Sequence, residues 1–220
     1  MTDAPRADPA NAHLFTALST GNRLLAQRGV VHRYPKHKVL VAEGSTGDTL
    51  FVLLAGRVKV YSMDQDGREI TYGTISSGEY FGEMSLDGGI RSASVMTLEP
   101  CTCAVLGSAE VRACLAQHPD LAFNLVEQII RRARAATEIA RSMALLTVYG
   151  RVTALLQGLK GPAAEGASVT LRPITHQDIA NRTGSSREMV SRLLKDLEKA
   201  GYVELGVKRI TLLRPLPPRW

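Results

Sequence analysis

The sequence predicts an α+β protein in three consecutive parts: a strand-rich roll, one long helix, and a small helical domain closed by a hairpin. The first part follows from texture. Between Val30 and Leu106, short runs of β-branched and aromatic residues (LFVLLAGRVKVY, REITYGTI, SASVMTL) alternate with Gly and Asp punctuation. Strands at roughly 8–12-residue spacing read as a sandwich or barrel-like roll. The second part follows from residues 121–149, which hold neither Pro nor Gly. The third follows from charge. Of the net +6, residues 168–220 hold ten Lys/Arg against five Asp/Glu, whereas residues 30–108 hold seven against nine. A basic end behind a mildly acidic front implies two domains with different partners.

The elements can be placed in order. Residues 1–11, rich in Pro, Ala and Asp, form no periodic pattern and are expected to be a flexible tail. A short helix is expected over about Asn11–Arg28. Asp66-Gly67 marks a hairpin between two strand runs. Ala109–Gln117 can form a helix that His118-Pro119 breaks. Along Leu121–Tyr149, Ala122, Val126, Ile129, Ala133, Ala136, Ala140 and Met143 recur at steps of four and three. That is a heptad seam. Such a helix is longer than one small roll can cover, so its simplest partner is the same helix of a second chain; packing within its own chain is the alternative. Gly158–Gly166 has loop composition.

His176–Leu193 (HQDIANRTGSSREMVSRL) reads as a helix-turn-helix. Ala180 admits a second helix, Gly184 suits a left-handed turn, and Ile179, Val190 and Leu193 pin the helices together. Thr175 and Asp178 have capping-box spacing, and Ser186 is an N-cap for the second helix. In this motif the second helix enters the DNA major groove with its N-terminal residues toward the bases. Here those are Arg187, Glu188, Ser191 and Arg192. Arg can fork onto guanine and Glu can accept from cytosine. His176, Gln177 and Ser186 sit where helix starts hold phosphate. Val203–Leu212 would be the wing.

With these segments in view, the chain resembles the CRP/FNR superfamily, the cyclic-AMP receptor protein family of bacterial transcription regulators, over about residues 13–215. The resemblance rests on GSTGDTLFVLLAGRVKVY, SSGEYFGEMSL, RSASV, LLTVYGRV and ITHQDIANRTGSSREMVSRLLKDLE. It implies an N-terminal β jelly-roll of cyclic-nucleotide-binding type (12–120), a dimerisation helix (121–149) and a C-terminal winged helix-turn-helix (150–220). It also implies a ligand site. In the cassette Gly82–Ala93, Glu83 would accept from a ribose hydroxyl, Arg91 would pair with a cyclic phosphate and Ser92 would bond to it, with Gly82 giving the backbone room. Thr137 on the long helix would touch the base.

The pattern departs from the family in two places. Glu83 and Arg91 are only eight positions apart, and Ala136 has no hydrogen-bonding side chain. A cyclic nucleotide, cyclic AMP first, is therefore weighed against cyclic di-GMP and against no small ligand, with Glu83 and Arg91 as a structural ion pair. The recognition residues match the family's TGTGA reading through Arg187, and TTGAT is the alternative. The implied partners are double-stranded DNA, a second copy and RNA polymerase.

Other function classes lack support. No run reaches the ~18 apolar residues of a membrane span, and MTDAPRADPANA has neither n-region nor h-region of a secretory signal. Cys101, Cys103 and Cys114 are too few for a disulfide scaffold, which fits a reducing, cytoplasmic setting. Residues 1–30 lack the cysteines of an iron–sulfur sensor. No Walker A loop, nucleophile–base pair or metal-binding spacing is present, so neither an enzyme nor a metal site is expected; haem ligation by a single His stays open.

Overall fold

The computed structural model describes residues 13–16, 18–160, 168–171 and 173–218. The expected tail at 1–11 and most of the Gly158–Gly166 loop lie outside the described residues. The chain divides into two compact units, Met1–Ser62 with Tyr72–Ala133, and Met63–Thr71 with Arg134–Trp220.

The first unit holds a two-sheet roll, apart from residues Met63–Thr71, which are grouped with the second unit. One sheet orders its strands β1 (Val30–Tyr34), β8 (Cys101–Leu106), β3 (Leu50–Ala55), β6 (Tyr80–Phe81). The other orders β2 (Val39–Val41), β7 (Ser94–Thr97), β4 (Arg57–Met63), β5 (Glu69–Ser76). β8 pairs antiparallel with β1 and β3, as do β3 with β6 and β7 with β2 and β4. The run LFVLLA in β3 is apolar at every position because both of its faces are covered. Phe51 and Leu53 point between the sheets, with Val41, Val58, Ile75, Phe81 and Val95. Leu50, Val52 and Leu54 point the other way, onto α1 (Thr20–Ala26), α2 (Ser108–Gln117) and the start of α3 (Asp120–Leu145). Cys101 and Cys103 share one face of β8 and pack between the sheets as small apolar side chains.

Two expectations from sequence are corrected. The first helix is shorter than Asn11–Arg28: α1 starts at Thr20, where the Ser19 hydroxyl accepts from the Asn22 amide and so fixes the start. The long helix does not continue to Tyr149. It ends at Leu145, and α4 (Val148–Lys160) begins after a two-residue break. The cause is local. The Gly150 amide donates to the Thr147 hydroxyl at 3.2 Å, and Arg151 Nη1 donates to the Leu146 carbonyl at 2.8 Å. A capping side chain and a satisfied carbonyl start a new helix although neither Pro nor Gly stands at the break itself, Leu146-Thr147. α4 also takes in Gly158–Lys160, the beginning of the expected loop.

In the second unit α4, α5 (His176–Thr183) and α6 (Arg187–Lys199) pack with a small sheet ordered β10 (Val203–Gly206), β11 (Arg209–Leu212), β9 (Val169–Thr170). Val152, Leu156, Ile179, Ala180, Val190, Leu194, Leu197, Val203 and Ile210 form its core. Leu194 and Leu197 are the fully buried leucines of α6, and Leu193 packs against this core partly buried.

Candidate ligand pocket and nucleic-acid interface

In the first unit the cassette opens at Gly82, which has φ +91°. A Cβ there would lie 2.5 Å from the Thr49 carbonyl and 2.9 Å from Arg91 Nη1, so only glycine fits. Glu83 follows in a one-turn 3-10 helix, Glu83–Ser85, and its side chain is only 3% exposed. Arg132 of α3 forms an ion pair with it, yet neither carboxylate oxygen of Glu83 receives a hydrogen bond from a described residue. Arg132 also donates to the Tyr80 carbonyl. The Tyr80 hydroxyl is pushed up to about 12 by burial, with Glu83 adding and Arg132 opposing.

Arg91 is buried. Its Nη1 donates to the Gly82 carbonyl at 2.8 Å, and its Nη2 to the Thr49 carbonyl at 3.0 Å and hydroxyl at 2.8 Å. Burial draws its pKa below the usual arginine value, against the pull of Asp48 and Glu83. Gly47 faces the guanidinium edge: a Cβ there would stand 3.1 Å from Nη2 and 3.4 Å from Nε. Glycine thus leaves this edge uncovered by a side chain. Ser92 is exposed, its hydroxyl 3.5 Å from the Met84 sulfur. The structure therefore brings Gly82, Glu83, Arg91 and Ser92 into one neighbourhood, but Glu83 pairs with Arg132 and not with Arg91. Thr137 is exposed five residues further along α3, in the other unit.

Those residues fit a cyclic phosphodiester with a ribose. The cradle offers a buried cation edge that a side chain would fill, and a carboxylate that is ion-paired but makes no hydrogen bond to a described residue, a bond that a hydroxyl could supply. Sequence reading missed Arg132 and Thr49. Arg132 carried a signal, since it stands four residues before Ala136 on one helix face. Thr49 carried none: it stands 42 positions before Arg91 in sequence, and a backbone carbonyl shares its part with the hydroxyl.

The second candidate site lies in the second unit. Thr175 and Asp178 complete a capping box: the Asp178 amide donates to the Thr175 hydroxyl at 3.1 Å, and the Thr175 amide to the Asp178 carboxylate at 2.9 Å. Gly184 ends α5 at φ +57°. Ser186 caps α6, accepting from the Met189 amide at 3.2 Å. Arg187, Glu188 and Arg192 are exposed on the first turns of α6. The amide N–H of Glu188 itself, then the Ser186 hydroxyl, hold the Glu188 carboxyl below its ordinary pKa. Gln177 Nε2 donates to Asn181 Oδ1 at 2.7 Å. Ser191 is half-buried, with its hydroxyl 2.9 Å from His176 Nδ1.

The wing adds residues that sequence reading did not single out. Val207 and Lys208 form a two-residue turn between β10 and β11, with Val207 96% exposed and Lys208 at φ +52°. Lys208 and Arg209, with Arg187, His176, Gln177 and Thr175, line a cavity of about 340 Å³. Three arginine or lysine side chains thus converge on the start of α5. Among the described residues no helix is long and apolar enough to cross a membrane, and no group of three or more His, Cys, Asp or Glu could hold a metal ion.

Comparison with known proteins matches two domain families. Residues 31–118 match the cyclic nucleotide-binding domain family, and residues 150–215 match the Crp-like helix-turn-helix domain family. The cAMP-activated global transcriptional regulator CRP of Pasteurella multocida is 33% identical over 189 residues, covering 83% of this chain and 89% of the relative. The cAMP-activated regulator Vfr of Pseudomonas aeruginosa is 34% identical over 190 residues, 82% of this chain and 87% of the relative. Among solved structures, the c-di-GMP responsive global regulator CLP of Xanthomonas campestris superposes with a TM-score of 0.78 at 25% identity, covering 89% of this chain and 100% of CLP. A DNA-binding regulator with a cyclic-nucleotide-binding domain is the class these two sites define. The chain belongs to the CRP/FNR family of transcription regulators.

Proposed function

We propose that this protein is a homodimeric, cytoplasmic transcription factor that binds cyclic AMP and then reads a TGTGA palindrome for RNA polymerase. The observation that carries the ligand reading is the buried Glu83 carboxylate, which is ion-paired with Arg132 but makes no hydrogen bond to a described residue, beside the glycine-cradled Arg91. Glu83 would accept from the ribose hydroxyl, Arg91 and Ser92 would hold the phosphate, and Thr137 would touch the base. Ligand acts by binding the DNA-competent state more tightly than the other. A second reading, cyclic di-GMP, is favoured by Ala136, whose side chain offers no hydrogen bond to a base, and by the likeness to CLP. Calorimetry with cyclic AMP, cyclic GMP and cyclic di-GMP separates the readings. Cyclic AMP should give heat with the natural chain and none with Arg91→Ala. Silence with all three nucleotides removes the sensor model.

The dimer reading rests on α3. Val126, Ile129 and Ile130 are between 43% and 50% exposed, and Phe123 is 73% exposed, so the helix displays an apolar stripe on the single chain. Two copies joined there would carry two recognition helices to successive major grooves about one turn apart. Arg187, Glu188 and Arg192 would read bases, while His176, Gln177, Ser186 and Lys208 would hold phosphate. In a gel-shift comparison of TGTGA and TTGAT palindromes the first should bind tighter; the reverse order would sink the operator assignment. Arg187→Ala should cost roughly 1–3 kcal/mol of discrimination at one base pair of each half-site.

Lys208 gives a contrasting result. Its left-handed backbone costs about 1–2 kcal/mol for a residue with a Cβ. Lys208→Gly should therefore melt no earlier than the natural chain, yet bind every duplex less tightly. Its salt slope should fall by about one for each phosphate that the lysine neutralises. An unchanged slope would show that Lys208 touches no phosphate.

A further inference from the structure

We propose that His176 couples DNA binding to the uptake of a proton, so that this protein's hold on DNA tightens as pH falls. The inference rests on the DNA-binding reading above and assigns a regulation to that surface.

His176 opens α5, and its Nδ1 lies 2.9 Å from the Ser191 hydroxyl one turn into α6. The ring thus ties the two helices of the motif together while lining the cavity shared with Arg187, Lys208 and Arg209. The serine bond does not require a neutral ring: a hydroxyl can donate to Nδ1 or accept from Nδ1–H. Protonation can therefore occur with the helices still tied.

The charged surroundings decide the protonation state. From α6, Arg187 and Lys195 act on the ring. From the wing, Lys208 and Arg209 border the same cavity. On its own helix the nearest acid is Asp178, whose carboxylate is bonded to the amide and hydroxyl of Thr175, and Arg182 adds a further cation. Glu188 of α6 is held by its own amide and Ser186. In the free protein, burial first, then Arg187 and Lys195, hold the imidazole below its ordinary pKa.

A bound duplex reverses this field. It brings one negative charge per ~1.7 Å of axis, and phosphates seated at the cavity favour the imidazolium. The sign follows: if the bound state holds the proton at a pH where the free state does not, affinity rises as pH falls between the two midpoints. His176 is the only histidine after residue 118, so no other imidazole of the helix-turn-helix region can supply such a response.

The test uses the full chain and a mixed-sequence duplex at low salt, followed by fluorescence anisotropy between about pH 8 and pH 5.5. The natural chain should gain up to about tenfold in affinity per pH unit for each proton taken up. His176→Gln, which keeps an amide able to reach Ser191, should lose that component and show a flatter profile. In parallel, NMR of the natural chain should show the His176 Cε1–H titration midpoint move upward on adding duplex, a readout that needs no variant to fold. Parallel pH profiles for the two chains, or a midpoint unmoved by DNA, would overturn the proposal. No binding of any duplex by the natural chain would instead remove the DNA-binding reading itself, and this inference with it.

Discussion

Arg132→Met should destabilise the first unit by about 3 kcal/mol, the low end of the range for breaking one half of a buried ion pair. The Glu83 side chain is 3% exposed and keeps Arg132 as its ionic partner, with no hydrogen bond from a described residue to either oxygen. Removing the guanidinium strands that carboxylate. The low end applies because the Arg132 side chain is itself 29% exposed, so its loss opens a path for water. The double variant Arg132→Met, Glu83→Gln should recover most of the loss, since no buried carboxylate is left without its ionic partner. Urea denaturation of the three chains measures this, and a single variant as stable as the natural chain would refute the account. The same pair bears on the proposed ligand site. Arg132 anchors α3 to the cassette within the first unit, so the ion pair joins the ligand cradle to the helix that carries the apolar stripe.

In the proposed dimer, Ile129→Glu should leave a monomer and lower affinity for a palindrome by at least about a hundredfold. Two half-sites bound through one dimer gain 10²–10⁴ in avidity over either alone, as an order of magnitude. Ile129 lies mid-stripe and is 47% exposed on the single chain, so a carboxylate there costs the monomer little. Sedimentation and anisotropy should change together while the melting of the second unit does not. A variant that still sediments as a dimer would show that the stripe is not the seam.

Much of this architecture is legible in the amino-acid sequence. The capping box, the Gly184 turn and the Ser186 cap come from local rules acting on adjacent residues, and the structure has each of them. The roll is legible as a class because β3 and β8 alternate between two apolar environments. What sequence could not show depends on residues distant in the chain or on competing local bonds. The break at Leu146-Thr147 hinges on one hydroxyl and one carbonyl in a stretch that is otherwise good helix. Arg132 is one of several arginines on α3, and only the fold brings it to Glu83, 49 positions earlier. Ser191 reads in sequence as an exposed base contact, and only the packing of α5 shows it bonded to His176.

The three cysteines have a use beyond packing. All are buried in the first unit and the second has none. Burial raises each thiol, that of Cys103 to about 12, so the reactive thiolate is scarce while the roll stays closed. A thiol reagent can then reach them only when the sandwich or its helical cover opens. Its rate of reaction is a built-in clock for breathing of the sensor half, with the DNA-binding half silent, and no probe need be engineered. Any compound that seats in the cradle should slow that clock.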